Sequence, residues 1–288
     1  MKTDLHFYLI YLLAVKSGLT PQNAFTIAYS AEYIDDNTSK KTIHFSDGTD
    51  YEPTRSAYRD LSLLLTKKDK TLEIYLPFHF FPSGEGETFQ ERVKSHAHSE
   101  MMRLLKRFVL TNLDQEFGLY YLGIYVHILI DTFIHEEVSE LMENKYRRMK
   151  TDMDLVSIRN FIFEIYHLFC HDIRYLKPEW FDTPSEELDL FYGQLDDFLR
   201  IDLPMYERVE RWQEAYANKI FGVSLHHEYD SKLWFKEALG DRDTYSLSKL
   251  YNHGSEFDHS DWLLFQRAIK YHLDFCQHEL FPKYGILI

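Results

Sequence analysis

The sequence predicts a mainly α-helical protein: a multi-helix bundle around a buried central helix, with short irregular or hairpin insertions. Apolar residues recur at helical spacing along most of the 288-residue chain, which is the primary signal for amphipathic helices. Helix starts and stops are marked by local signals such as Thr20-Pro21 and Gly18. Residues 121–135 are apolar on nearly every side, as expected for a helix at the centre of a bundle.

Local signals delimit the first two helices. An apolar run begins near Leu5 and stops at Gly18, a residue that commonly ends helices. Thr20 is a good N-cap, and Pro21 fits the first helical position because its missing N–H is not needed there. A second helix is therefore predicted to start here and to run toward Ile34.

Two irregular segments separate these helices from the rest. Residues 37–55 contain the dipeptide Asp47-Gly48, which predicts a short hairpin or an irregular loop. Residues 74–87 are rich in aromatic residues, proline and glycine, and are also predicted to be irregular. A capping-box pattern over residues 88–91 then opens a long helix. The helices predicted for the remaining chain cover residues 88–113, 118–145, 154–177, 185–198, 204–221 and 261–281.

Composition bounds the class of protein. We predict a single helical domain over residues 1–288, in which 1–175 form the core of the site and 176–288 add helices that pack on it. A hydrophobic fraction of 45% with 21 Tyr and 22 Phe supports a sizeable core. The net charge of −14 disfavours extended nucleic acid as a partner. Two cysteines cannot build a disulfide framework, and no transmembrane run or cleavable signal is apparent, so we expect a soluble, cytoplasmic protein.

The central helix carries the most informative pattern in the chain. His127, Asp131 and His135 recur every fourth residue within an apolar segment, so they project from one stripe of the helix. A buried carboxylate without a partner is costly, so Asp131 is expected to be paired or bound to a metal. A core His–Asp hydrogen-bonded pair is the alternative, but three aligned groups favour a metal site.

Further candidate ligands lie outside this helix. His6 sits in the first turn of the first helix, where an ordinary buried histidine is the alternative. Asp35 and Asp36 end the second helix, where carboxylates are unfavourable against the helix dipole unless a cation is near. His79 lies among phenylalanines in the irregular segment, which has no evident structural use for an imidazole. On a later helix, one face carries a further set that could instead be an exposed polar stripe: Glu164, His167 and His171.

The order of these residues resembles that of the zinc-dependent phospholipase C and fungal single-strand nuclease superfamily. The stretch from Gly123 to His135 is similar to the Gly-x3-His-x3-Asp-x3-His signature of uncharacterised bacterial branches of that group. Residues 27–36 are similar to the segment that carries an aspartate ligand in those branches. The match covers about the first half of the chain.

The resemblance implies up to three zinc ions, with Asp131 bridging two of them. The first ion would take Asp35 or Asp36, together with His79, His127 and Asp131. The second would share Asp131 and take His6; relatives complete it with the amino group of a processed N-terminal tryptophan, for which Asp4 is the candidate substitute here. The third would take His135, with His167, His171 and Glu164 in place of the family's His-x3-Glu pair.

The expected function is a metal-dependent hydrolase of phosphate esters, either a phosphodiesterase or phospholipase C-like. Zinc is the expected metal, with manganese or iron as alternatives, and a small phosphate ester or lipid headgroup is the expected substrate. Asp35 or Asp36 would double as the general base, and three aromatic residues are expected to line the pocket: Tyr33, Phe80 and Phe81. One rival function is a non-catalytic effector or interaction protein with a structural metal. A helical-bundle metal oxidase is a weaker alternative, because this sequence has no Glu-x-x-His pair that recurs on two helices.

Overall fold

A computed structural model of the chain describes residues 3–58, 68–134, 155–195, 197–199, 203–240 and 250–288. The fold is mainly helical, as predicted. Helix α1 begins as a π-helix over Asp4–Leu9 and continues over Ile10–Lys16; α7 and α12 likewise contain π-helical turns. A short 3₁₀ helix covers Pro178–Trp180. The other described helices are α2 Pro21–Asp36, α3 Lys68–Phe78, α4 Phe89–Arg92, α5 Glu100–Thr111, α6 Gly118–Ile134, α7 Leu155–His167 extended through Leu176, α8 Leu188–Leu195, α9 Met205–Ala217, α10 Leu233–Leu239, α11 Ser255–Asp258 and α12 Asp261–Asp274 extended through Tyr284.

Helix α6 is the central helix, as the apolar run predicts. It packs most closely on α2, where Gly123 allows the two backbones to approach. A Cβ atom at this position would come within 2.5 Å of the Ile27 carbonyl oxygen and of the Ser30 side chain. This close contact places the metal-type residues of α6 directly beside the end of α2.

The N-terminal signals behave as predicted, and the first insertion is a hairpin. Thr20 caps α2 by accepting a hydrogen bond from the Asn23 amide, with Pro21 in the first turn. Strands β1 (Ile43–Phe45) and β2 (Asp50–Tyr51) pair antiparallel on either side of the predicted turn. A third short strand, β3 (Leu250–Tyr251), adds to β1 in parallel, which joins the hairpin to the C-terminal part of the chain.

Two boundary predictions are wrong. The helix predicted over residues 88–113 is broken into α4 and α5, because Ser99 caps a new start by accepting from the Met102 amide. The segment predicted to be irregular from residue 74 is helical through Phe78. Pro77 is accommodated in the last turn of α3, and its carbonyl oxygen accepts a hydrogen bond from His272 Nε2 at 2.9 Å.

The C-terminal helices pack onto the same apolar core as the N-terminal ones. One contiguous cluster of buried side chains contains residues from α1, α2 and α6 together with residues from α9, α10 and α12. Tyr216 of α9, for example, donates its hydroxyl to the Tyr8 carbonyl oxygen of α1 at 2.7 Å. None of the helices in the described part of the chain combines the length and apolarity that a membrane crossing requires.

Candidate metal centre

Three histidines and three carboxylates converge in the interior of the bundle. They come from four places in the chain: α1, the C-terminal end of α2, the residue after α3, and α6. Within three overlapping groups, one lone-pair atom per residue lies within 4.8 Å of the others, so each group could hold a metal ion. The converging residues are His6, Glu32, Asp35, His79, His127 and Asp131.

Helix geometry explains how neighbouring members reach one another. His127 and Asp131 are four residues apart, and Glu32 and Asp35 are three apart, so each pair lies on one face of its helix. His6 lies within the π-helical turn that starts α1. Such wider turns are frequent at functional sites because they redirect a side chain without ending the helix.

Four of the lone-pair atoms form one group, which we call the histidine-rich set: His79 Nδ1, His127 Nε2, Asp35 Oδ1 and Asp131 Oδ2. The two imidazole nitrogens are 3.2 Å apart, and each is 3.3 Å from Asp131 Oδ2. His79 Nδ1 is 3.6 Å from Asp35 Oδ1. Ligands bound tetrahedrally at about 2.0–2.1 Å from zinc lie about 3.3–3.4 Å from one another. The spacing therefore matches metal coordination.

The hydrogen bonding of His79 leaves a lone pair facing this set. Its Nε2 lies 3.0 Å from the Ser56 carbonyl oxygen, which can only accept, so Nε2 carries the hydrogen. In the neutral ring Nδ1 is then an acceptor, and it faces an oxygen of ionised Asp131, also an acceptor, at 3.3 Å. Two acceptors in contact need a cation or a proton between them, and the four-atom convergence favours a cation.

The second group surrounds His6, with Glu32 Oε2 and Asp35 Oδ2 facing its Nδ1 and Asp131 Oδ1 facing its Nε2; we call these atoms the carboxylate-rich set. His6 Nδ1 is 3.6 Å from both Glu32 Oε2 and Asp35 Oδ2, and His6 Nε2 is 3.4 Å from Asp131 Oδ1. Both ring nitrogens of His6 and Glu32 Oε2 are buried with no hydrogen-bond partner among the described residues. Such atoms are rare in folded proteins. A bound cation would satisfy Glu32 Oε2 and one nitrogen of His6.

Asp35 and Asp131 belong to both sets. Each turns one carboxylate oxygen toward the histidine-rich set and the other toward the carboxylate-rich set. Glu32 faces the cluster with one oxygen only, because its Oε1 accepts a hydrogen bond from the Thr3 hydroxyl at 2.6 Å. Asp35 is thus placed to bridge two cations, and Asp131 would do so for a second cation bound at His6 Nε2, whereas Glu32 is placed to bind one cation at His6 Nδ1.

The two bridging aspartates are held in the ionised form. Burial disfavours their charge, but contact with His6 and the charges of His127 and His79 keep the pKa of Asp35 well below its usual range. Burial also opposes the charge of Asp131, and contacts with His127, His6 and His79 outweigh it, so its pKa is likewise strongly lowered. Both carboxylates are therefore available as anionic ligands at neutral pH.

The pKa values of His6 and Glu32 are raised, whereas that of His127 is lowered. Burial would lower the pKa of His6, but Asp131 and Asp35 outweigh it and raise this pKa to about 9. Burial, together with the charge of Asp35, raises the pKa of Glu32 to about 8. Burial and the charge of His6 lower the pKa of His127 to about 4. Without a metal the cluster therefore favours protons on His6 and Glu32, and a cation would displace a proton from each residue that it takes as a ligand.

Asp36 and Asp4 have other partners. The Asp36 carboxylate accepts a hydrogen bond from the Tyr229 hydroxyl at 2.7 Å and joins none of the metal-type groups of the described residues. Of the two candidate aspartates, the structure thus brings Asp35 to the cluster. Asp4 is paired with Arg208, whose Nε lies 3.2 Å from Asp4 Oδ2. Asp4 joins none of the metal-type groups of the described residues, and Glu32 lies beside His6.

The residues expected at a third site are not assembled in the part of the chain that the structure describes. His135 lies outside the described residues. His167 and His171 are exposed, with ring centroids 4.2 Å apart, and join none of the metal-type groups found among described side chains. A third ion stays a prediction.

The aromatic residues expected to line a pocket are buried. Phe81 packs its ring on Phe281, with ring centroids 5.7 Å apart, and is fully buried. Tyr33 packs on Phe265, at 4.9 Å between centroids. Both rings therefore belong to the hydrophobic core. Phe80 is also buried.

Sequence reasoning missed Glu32, although a signal for it was present. Glu32 precedes Asp35 by three residues and Asp36 by four on the same helix, so it shares a face with both aspartates. A fully buried glutamate within the run Ala31-Glu32-Tyr33-Ile34 also needs a partner. Both features point toward the cluster.

Comparisons with known proteins give a family and no named relative. No curated protein and no solved structure matches the chain. A family described only as a family of unknown function, DUF6765, matches residues 1–191 and 169–280, which together cover nearly the whole sequence and every residue of the cluster. The chain belongs to this family, DUF6765.

Proposed function

We propose that the protein is a metal-dependent hydrolase of phosphate esters, of the phosphodiesterase or phospholipase C type. The observation that carries the proposal is the placement of Asp35 and Asp131, each of which turns one oxygen to each of two sets of lone-pair atoms. Carboxylate-bridged metal pairs are a recurrent device for phosphate ester hydrolysis. The resemblance of the central helix to the zinc-dependent phospholipase C signature supports the same reaction.

Charge balance favours two divalent ions over one. With neutral imidazoles the cluster carries a formal charge of minus three, one unit each from Glu32, Asp35 and Asp131. Glu32 and Asp131 have no lysine or arginine as an ion-pair partner among the described residues. One divalent ion would leave a buried negative charge, which repels phosphate, whereas two would leave a positive charge that attracts it. Mixed imidazole and carboxylate ligands suit zinc, and also manganese or iron.

Each residue of the cluster would have a distinct role in metal binding or in the reaction. When bound, a pair of divalent ions lowers the pKa of a shared water to near neutrality and neutralises the phosphoryl oxygens. His79 and His127 fix the first ion, and His6 with Glu32 fixes the second. Asp35 is the most accessible carboxylate of the cluster, with 14% of its side chain exposed against 8% for Asp131. A water entering the cluster would therefore meet Asp35, which could orient it for attack by accepting a hydrogen bond from it.

The first prediction concerns activity. The protein, stripped with a chelator, should not hydrolyse bis-p-nitrophenyl phosphate, and added zinc or manganese should restore the reaction by at least about 100-fold, because metal ions contribute several kcal/mol to such reactions. Phosphatidylcholine and a short single-stranded oligonucleotide, assayed in parallel, would distinguish the lipid from the nucleotide substrates. A fully metallated, folded protein that is inert toward all three would instead support a structural metal.

The second prediction concerns the number of ions. Glu32→Gln should reduce bound zinc from two ions per chain to one, because Glu32 faces only the carboxylate-rich set while the histidine-rich set keeps all four of its atoms. Metal content after gel filtration, measured by atomic emission, is the readout. Glu186→Gln, which removes an exposed partner of Lys16, is the matched control and should retain both ions. Two ions in Glu32→Gln would remove Glu32 from the site.

A further inference from the structure

Behind the cluster, three polar side chains form a buried hydrogen-bonded chain that ends on His79. They come from three different segments: Asn37 from the end of α2, Ser56 from the segment after β2, and Gln266 from α12. Their exposed fractions are only 3%, 0% and 0%. Buried polar groups of this kind are expensive unless every one of them is satisfied.

Gln266 joins the other two segments through both ends of its amide. Its Nε2 donates to Asn37 Oδ1 at 2.8 Å, and its Oε1 accepts from the Thr54 amide at 2.8 Å. Asn37 Nδ2 donates to the Thr54 carbonyl oxygen at 2.8 Å and to Ser56 Oγ at 3.2 Å. Because a backbone N–H only donates and a carbonyl only accepts, these partners fix the orientation of both amides.

Ser56 connects these hydrogen bonds to the metal-type cluster. Its amide donates to the Asn37 carbonyl oxygen at 3.0 Å, and its hydroxyl donates to the Ile34 carbonyl oxygen at 2.7 Å. Its own carbonyl oxygen accepts from His79 Nε2 at 3.0 Å. Ile34 and Asn37 flank Asp35 on α2, so the same network holds the backbone beside one member of the histidine-rich set and the ring of another.

We propose that Gln266 is a positioning residue for the metal centre, acting through Asn37 and Ser56 to set the tautomer and ring orientation of His79. The proposal rests on the metal binding assigned above, and it gives the C-terminal helix α12 a part in the site. Groups that hydrogen-bond to the outer nitrogen of a ligating histidine keep its inner nitrogen unprotonated and aimed at the metal. Their loss typically weakens metal affinity by about 10–100-fold.

The test is zinc affinity and the geometry of bound cobalt in Gln266→Met. Methionine is similar in length and apolar, so the variant removes both hydrogen bonds of the amide at little change in volume. We expect zinc to bind about 10–100-fold more weakly in competition with a chromophoric chelator, and the visible absorption bands of bound cobalt(II) to shift. Gln266→Glu keeps the acceptor for Thr54 and sets a second oxygen against Asn37 Oδ1, so it should weaken zinc binding as well.

Tyr271→Phe is the matched control on the same helix. It removes the 2.9 Å hydrogen bond to Asn112 Oδ1, which is not part of the network, and should leave zinc affinity and the cobalt spectrum unchanged. If either Gln266 variant folds and binds zinc and cobalt as the unmodified protein does, the positioning role is wrong. Neither zinc affinity nor the cobalt spectrum depends on hydrolysis. A protein that binds zinc but is inactive would therefore contradict the proposed reaction and leave the positioning role of Gln266 testable.

Discussion

Asp131→Asn is expected to bind neither ion and to lose hydrolysis. The substitution preserves the shape of the side chain but replaces one of two ligating oxygens with an amide nitrogen that cannot ligate. Because Asp131 turns one oxygen to the histidine-rich set and the other to His6 Nε2, the substitution removes negative charge from both sets at once. We expect activity to fall by at least about 100-fold, since loss of a residue that merely supports a ligand already costs 10–100-fold. Metal content and the rate with bis-p-nitrophenyl phosphate measure this.

The thermal readout separates metal loss from unfolding. Zinc at about 100 times its dissociation constant should stabilise the unmodified protein by about 2.7 kcal/mol for each bound ion, and this increment should vanish in Asp131→Asn. Asp261→Asn is the control, because Asp261 is a partly buried carboxylate that accepts a hydrogen bond from Tyr120 away from the cluster. It should keep its metal and its zinc-dependent rise in melting temperature. Full metal content in Asp131→Asn would remove Asp131 from the site.

The central helix could be predicted because the spacing of residues along a helix determines which of them share a face. An apolar run with ligand-type residues four apart fixes both the burial of α6 and the common face of His127 and Asp131. Likewise, Thr20-Pro21 specifies the start of α2 through bonds made within a few residues. In both cases the relevant interaction is local in sequence, so no knowledge of the tertiary fold is needed.

The remainder of the centre depends on tertiary packing. Asp35 and Asp36 are equivalent by local rules, and only the position of Tyr229, nearly two hundred residues later, separates them. The bonds from Gln266 to Asn37 and Thr54 span more than two hundred residues and follow no sequence spacing. The break between α4 and α5 was missed for a different reason: the apolar spacing continues across a boundary at which Ser99 offers a competing cap.

Asp35→Asn is expected to inactivate the protein, whereas the neighbouring Asp36→Asn is not. Asp35 supplies an oxygen to each set and is the carboxylate placed to orient the attacking water. Its loss should weaken metal binding and lower the rate by at least about 100-fold, because removal of a residue that merely supports a ligand already costs about 10–100-fold. Asp36 binds Tyr229 rather than the cluster, and an asparagine oxygen can still accept that hydrogen bond.

The comparison is sharp because the two variants differ by one position and make the same chemical change. Zinc stoichiometry and the rate with bis-p-nitrophenyl phosphate should both be retained within about threefold in Asp36→Asn, since a residue outside the coordination sphere influences the site only through packing. Tyr229→Phe, which removes the partner of Asp36, should behave like Asp36→Asn for the same reason. Loss of metal in Asp36→Asn with full retention in Asp35→Asn would reverse the assignment, and would require the end of α2 to be rotated by about 100° from its position here.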